Sequence, residues 1–210
     1  MRDPSQKLKL RLFLFFLLLP LLTFSLFVLV LIFFEDLERI YGISSYLVIF
    51  SYSILIFLAI KAGLLQFRSL RPNLSLKRFF FGIALGLILF LVFFIEKVIL
   101  QDYSPSPHRG IYLLSAVVFA PLLEEIFSKK ILFNNLLKIF RSKVLAISIV
   151  AVYFAILHYP NLMLTHFIIG FMTTVVYFRN RDLWQVVVIH AVYNLCVVLL
   201  NEPFLRNLFF

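Results

Sequence analysis

Two adjacent carboxylates, Glu124 and Glu125, lie inside a stretch of sequence apolar enough to cross a lipid bilayer. An ionisable group at the bilayer centre costs from about 2.5 to more than 10 kcal/mol, so such groups are rare and normally line a cavity. A carboxylate screened from bulk water can take a proton from a water molecule and act as a general base. The pair therefore predicts a reactive centre inside a membrane protein.

Two later apolar stretches each carry a pair of polar or aromatic residues four positions apart. The pairs are Phe154 with His158 and His190 with Asn194. Residues four apart on a helix share one face, and the same spacing lets Glu125 reach Lys129. Each helix therefore offers one polar stripe, and the three stripes together favour a single shared site.

Taken one at a time, these groups also have structural interpretations. Glu125 with Lys129 could be an intramembrane ion pair, and His158 could be an interfacial histidine. His190 with Asn194 could hydrogen-bond neighbouring helices, a common use of polar residues in membrane bundles. His166 and His108 have no motif partner in the sequence and are expected to be structural.

Hydrolysis of a peptide bond is one reaction that such residues could perform. It needs an activated water and a group that stabilises the oxyanion forming on the carbonyl. A carboxylate beside an imidazole can supply the first, and a second imidazole with an amide can supply the second. A zinc site is the main rival, with Glu124, Glu125, His158 and His190 as oxygen and nitrogen ligands, although the usual HExxH arrangement is missing.

Composition identifies a polytopic membrane protein. Hydrophobic residues make up 63% of the 210 residues and charged residues 14%, against roughly 45–50% and about 25% in soluble domains. The only cysteine, Cys196, excludes an internal disulfide and a CxxC redox pair. The net charge of +10 is better explained by membrane topology than by nucleic acid binding.

Apolar run length, with about 20 residues needed for each span, predicts an all-α bundle of about seven transmembrane helices. The predicted spans are Leu10 to Phe34, Ser44 to Phe67, Phe79 to Leu100, Ile111 to about Leu136, Lys143 to His158, Leu162 to Phe178, and Leu183 to Asn201. The first run is too long for a secretory signal and lacks a cleavage site. We expect residues 1–105 to form three N-terminal spans and residues 106–210 to form a four-span core.

The basic residues predict the orientation of these spans. With the N-terminus in the cytoplasm and the spans alternating, fifteen of the twenty Lys and Arg residues fall in cytoplasmic segments. Cytoplasmic loops are enriched in Lys and Arg, so this distribution predicts a cytoplasmic N-terminus and an external C-terminus. The predicted location is an integral, multi-pass position in the cytoplasmic membrane of a bacterium.

Three short motifs occur in order along the second half of the chain: APLLEEIFSKK from Ala120, YFAILHYP from Tyr153, and VIHAVYNL from Val188. This order resembles the CPBP family of intramembrane proteases. That family includes the CAAX prenyl endopeptidases, the bacteriocin-immunity (Abi) proteins and the lysostaphin-resistance-A-like proteins. The resemblance covers roughly Ile111 to Asn201. Lys129 stands where the family usually has Arg, Ser128 where an aromatic is common, and Lys130 where Gly is common.

The resemblance implies an intramembrane endopeptidase that cleaves a membrane-associated protein or peptide, including prenylated CAAX-type substrates. It implies that Glu124 and His158 activate a water and that His190 and Asn194 form the oxyanion site. Glu125, Lys129 and Phe154 would be auxiliary. No cofactor is expected. Members are often labelled metalloproteases, and in that case Glu124, His158 and His190 would be the ligands.

A second class of function stays open at this point. The same pocket could bind a peptide or partner without catalysis, as in a regulator or a bacteriocin-immunity factor. The bilayer itself is an expected partner, whereas nucleic acid is not. Substitution of Glu124 distinguishes the two classes, because only a protease depends on it for activity.

Overall fold

The computed structural model describes residues 50–100, 114–158 and 163–201, together with Leu10 and Leu14. Apart from Leu10 and Leu14, the predicted first span lies outside the described residues, and so does His108. Within the described part every regular element is helical. The helices are α1 (Phe50–Lys61), α2 (Leu76–Leu100), α3 (115–140), α4 (Lys143–Leu157), α5 (Met163–Asn180) and α6 (Leu183–Asn201).

The limits of α4, α5 and α6 lie within two residues of those predicted from apolar run length. Helix α1 differs, because it ends at Lys61 although the apolar run continues to Phe67. Gly63 adopts a φ of 69°, and the N–H of Leu64 bonds back to the carbonyl of Ala59 at 2.9 Å. This is a glycine-terminated Schellman motif, which ends a helix whatever the hydrophobicity of the residues that follow.

Helix α3 changes its hydrogen-bond register twice around the glutamate pair. Ser115–Phe119 and Ile126–Phe133 are π-helical, and the α-helical turn Ala120–Glu125 lies between them. Pro121 has no backbone N–H and so cannot continue the regular ladder. Short π-helical segments inside helices occur frequently at functional sites.

Helix α2 packs closely along α6 through two glycines one turn apart. A Cβ atom at Gly86 would lie 2.7 Å from the carbonyl oxygen of Ile189, and one at Gly82 would lie 3.0 Å from Val188. Small residues at this spacing let membrane helices approach closely. Because residue numbers increase together across the contact, α2 and α6 are parallel. The contact fixes the position of the turn of α6 that carries His190.

The first turn of α6 is tied to the first turn of α2. Asp182 caps α6 by accepting hydrogen bonds from the backbone N–H groups of Trp184 and Gln185. Its other oxygen pairs with Arg78 of α2 at 3.2 Å. A carboxylate at a helix N-terminus also interacts favourably with the helix dipole, so this one side chain stabilises the start of α6 and its alignment with α2.

The surface of these helices is apolar, as in a membrane protein. Two segments of the described residues, Leu76–Glu96 and Leu183–Leu200, are long and apolar enough to cross a membrane, and α1 and α4 contain shorter apolar helices. Phe80, Ile88 and Leu91 of α2 are more than half exposed. Large apolar side chains in such numbers on a surface mark contact with lipid or with other protein.

Candidate active site

The glutamate pair and both motif histidines meet at one point between α3, α4 and α6. The Oε2 atom of Glu124 lies 3.8 Å from Nε2 of His158 and 3.9 Å from Nε2 of His190. These separations are too long for direct hydrogen bonds and match a gap that one water molecule can bridge. The polar stripes that sequence spacing predicted on three helices therefore face one another.

Glu125 contacts two other residues of the site. Its Oε2 atom lies 3.0 Å from Nζ of Lys129, as the i,i+4 spacing predicted. Its Oε1 atom lies 3.0 Å from Nδ1 of His190, a contact that the sequence did not indicate. Both Glu125 and Lys129 are fully buried. The carboxylate therefore bridges the lysine of its own helix and the histidine of α6.

Ser128, Lys129 and Lys130, which depart from the family pattern, each contact a neighbouring side chain or carbonyl. The ammonium group of Lys129 donates to the hydroxyl of Ser128 at 3.1 Å, and that hydroxyl donates to the carbonyl of Glu124 at 2.7 Å. Lys130 lies over the ring of Tyr177, with Nζ 5.5 Å from the centroid. A small hydroxyl residue at 128 thus supplies a second partner for a buried lysine that lacks the fork of an arginine.

Phe154 lies at the centre of the cluster. Its ring stacks on His158 at a centroid distance of 4.8 Å and meets the edge of His190 at 5.5 Å. The Nζ atom of Lys129 lies 5.6 Å from the same ring, within the range of a cation–π contact. One buried aromatic side chain therefore contacts three of the polar residues and shields them from lipid and bulk water.

The hydrogen bonds of the two histidines determine which ring nitrogen faces Glu124. The Nδ1 atom of His158 lies 2.8 Å from the carbonyl of Phe154, and that of His190 lies against the Glu125 carboxylate. Carbonyl and carboxylate oxygens only accept, so Nδ1 carries the hydrogen in both rings. In its neutral form each imidazole then presents the lone pair of Nε2 toward Glu124.

Asn194 has a structural partner that the sequence did not reveal. Its Nδ2 atom donates to the carbonyl of Ala116 at 2.7 Å. In an α-helix that carbonyl would accept from Ala120, but the Ala120 N–H bonds to Ser115. In a π-helix it would accept from residue 121, which is proline. The asparagine amide therefore satisfies a carbonyl for which Pro121 removed the donor, and its second N–H is left for another acceptor.

His166 is a neighbour of the site that sequence reasoning missed. His166, predicted to be structural, stacks on His158 at a centroid distance of 4.1 Å. Three buried side-chain oxygens have no hydrogen-bond partner within the described residues: Oε2 of Glu124, Oε2 of Glu125, which is ion-paired with Lys129, and the hydroxyl of Tyr153. The only sequence signal for His166 is its position eight residues after His158. Buried polar atoms without partners are uncommon and often mark functional positions.

The donor atoms around Glu124 lie slightly farther apart than the ligands of a tetrahedral zinc ion. Two ligands at about 2.1 Å from one zinc lie about 3.4 Å apart, whereas Glu124 Oε2 is 3.8 Å and 3.9 Å from the two Nε2 atoms. Among the described residues no group of three or more His, Cys, Asp or Glu side chains has the arrangement of a metal site.

Residues 107–196 match the family model described as type II CAAX prenyl endopeptidase Rce1-like. This segment is Rce1-like. The match confirms the resemblance to the CPBP family that the three motifs indicated. It shows that residues 107–196 are similar to a membrane-embedded family of endopeptidases. Glu124, His158, His190 and Asn194 all lie inside the matched segment. No curated protein and no solved structure matches the chain.

Proposed function

We propose that this Rce1-like chain is an intramembrane endopeptidase that hydrolyses a peptide bond in a membrane-associated protein, with prenylated CAAX-type substrates as the first class to test. One observation carries the proposal. A buried carboxylate oxygen of Glu124, without a hydrogen-bond partner in the described residues, lies 3.8 Å and 3.9 Å from the Nε2 atoms of His158 and His190. A water molecule at that point has acceptors positioned to take its proton.

The number of protons in the cluster follows from its charges. With both carboxylates ionised, Glu124 and Glu125 carry two negative charges and Lys129 carries one positive charge. An uncompensated buried charge is costly, so one further proton makes the cluster neutral. We assign that proton to His190, because its Nδ1–H already faces the Glu125 carboxylate and an imidazolium is stabilised by that contact.

The roles of the four residues follow from this assignment. Glu124 and neutral His158 accept hydrogen bonds from the attacking water, one proton of the water passes to Glu124, and the resulting hydroxyl adds to the scissile carbonyl carbon. Protonated His190 and the second N–H of Asn194 donate to the oxygen that becomes negative. The proton taken from the water passes to the leaving nitrogen as the C–N bond breaks. Every proton removed is returned, and the enzyme ends in its starting state.

The experiment uses the full-length protein purified in detergent, with a farnesylated CAAX peptide and the same peptide without the prenyl group. We expect the wild type to cleave at an equal rate with and without a metal chelator. We expect Glu124→Gln to lower the rate by about 10²- to 10⁴-fold while leaving the melting curve unchanged, because an amide has nearly the shape of a carboxylate.

Asp182→Asn is the matched control, since it replaces another buried carboxylate that caps α6 away from the glutamate pair. It is expected to retain activity per folded molecule. Full activity in Glu124→Gln would refute the assigned base. Loss of wild-type activity on chelation would refute the metal-free mechanism. A wild type that binds the peptide without cleaving it would instead support the non-catalytic alternative.

A further inference from the structure

His166 contacts the imidazole that we assign to water activation. The rings of His158 and His166 are nearly parallel, with centroids 4.1 Å apart and an interplanar angle of 15°. On its other face His158 stacks on Phe154 at 4.8 Å and 28°. The His158 ring thus lies in a slot between two flat side chains, one from its own helix and one from α5.

The position of His158 at the end of α4 explains why stacking on both faces of its ring matters. His158 follows the last residue of α4, and its φ and ψ of −104° and 7° are no longer helical. Its side chain is 27% exposed, whereas that of His190 is 3% exposed. One hydrogen bond, to the carbonyl of Phe154, fixes the position of Nδ1, but the ring can still rotate about that atom. Stacking on both faces restricts the rotation.

The register between α4 and α5 puts His166 at this position. A Cβ atom at Gly170 would lie 2.7 Å from Cβ of Phe154 and 3.2 Å from Cα of Ala151, so the two backbones meet closely at Gly170. Residues one turn away in an antiparallel pair are then opposite each other. Moving four residues forward on α4 gives His158, and moving four residues back on α5 gives His166.

The start of α5 is held in place from a third helix. The hydroxyl of Thr165 bonds to the carboxylate of Glu96 of α2, and Thr165 is 1% exposed. Residue 166 follows directly, so its backbone is anchored where the stack forms. Helix α2 lies outside the segment that matches the Rce1-like family, which means that the N-terminal part of the chain contributes to the site through this bond.

We propose that His166 is a positioning residue, which together with Phe154 holds the imidazole of His158 so that Nε2 faces Glu124. This inference rests on the proposed hydrolytic function for its kinetic test, but its structural test does not. The contribution of His166 is its flat ring, and an uncharged aromatic side chain should replace it.

The test compares His166→Leu with His166→Phe in the full-length protein. Leucine removes the flat ring and phenylalanine keeps it. We expect His166→Leu to lower kcat by roughly 10- to 100-fold, as misplacement of a reacting group does, with KM within about twofold of the wild type. His166→Phe should restore most of kcat. Phe167→Leu is the control, because it removes the neighbouring aromatic ring of α5, which stacks on Phe171.

A second readout does not require activity. In protein labelled with ¹⁵N-histidine, the His158 ring signals, assigned by their loss in His158→Gln, should show the Nδ1-protonated tautomer in the wild type and in His166→Phe. His166→Leu should give averaged signals from both tautomers. Unchanged His158 signals in His166→Leu, or equal defects in the Leu and Phe variants, would overturn the proposal. If the wild type cleaves no peptide, the proposed function fails and the spectra still decide the positioning role.

Discussion

At the scale of single residues, the two adjacent glutamates have different surroundings. Glu125 is fully buried, forms an ion pair with Lys129 at 3.0 Å and accepts a hydrogen bond from His190. Glu124 Oε2 has no hydrogen-bond partner among the described residues and faces two imidazoles. Adjacent positions on a helix point about 100° apart, so one carboxylate can stabilise the cluster while the other faces the reacting atoms.

The ion pair between Glu125 and Lys129 predicts how the stabilities of single and double variants should differ. Lys129→Met alone should lower the free energy of unfolding by about 3–5 kcal/mol, because it leaves the buried Glu125 carboxylate without its lysine. The double variant Glu125→Gln, Lys129→Met should be less destabilised than the single one, because neither charge remains. Unfolding in detergent, followed for the wild type and three variants, measures the coupling. Additive losses would contradict a buried ion pair at this position.

At the scale of helices, the π-helical start of α3 links a proline to an asparagine on α6. Asn194→Leu should cost about 1–3 kcal/mol of stability, because the Ala116 carbonyl then lacks a donor. The loss should be smaller in a Pro121→Ala background, where residue 121 regains an N–H. Melting curves of the wild type, both single variants and the double variant test this. Equal losses in the two backgrounds would show that the proline and the asparagine are independent.

The glycine contact between α2 and α6 gives a second prediction at this scale. Gly86→Ala should destabilise the protein by about 1–3 kcal/mol, because the new methyl group meets the backbone of α6 and overpacks the contact. Ala84→Val adds bulk to the exposed face of the same helix and should change the melting temperature little. A Gly86→Ala variant as stable as Ala84→Val would mean that α2 and α6 separate easily.

At the scale of the whole molecule, charge is distributed toward one end of the bundle. Among the described residues, the basic side chains outside the site lie mainly before α2, α4 and α6 and at the ends of α3 and α5, as expected for one membrane face. The parallel packing of α2 and α6 agrees with the predicted alternation, which gives the third and seventh spans the same direction. The number of spans and their orientation stay predictions.

Reporter fusions test that topology directly. Fusions at Ser75 and Arg179 should report a cytoplasmic position, and fusions at Ser106 and Phe210 should report an external one. The reason is the positive-inside distribution of fifteen of the twenty basic residues. Enzymatic reporters active on only one side of the membrane provide the measurement. A cytoplasmic result at Phe210 would exclude seven alternating spans.

The sequence by itself determined what depends on local geometry. Helical periodicity put Glu125 within reach of Lys129 and Phe154 beside His158, and apolar run length predicted α4 to α6 closely. It failed at α1, where the backbone conformation of one glycine ended the helix inside an apolar run. The G-x-x-x-G spacing of Gly82 and Gly86 is a sequence signal for close helix packing. The sequence did not show which helix packs against these glycines.

Only the tertiary structure decided which side chains face one another across helices. The bond from Glu125 to His190, the bond from Asn194 to Ala116 and the stack of His166 on His158 all depend on the register between helices. That register is determined by close contacts such as Gly170 against Phe154. Spacing along one chain fixes the face on which a residue lies. The level of that residue along the bundle and the side chain it contacts depend on how the helices pack against one another.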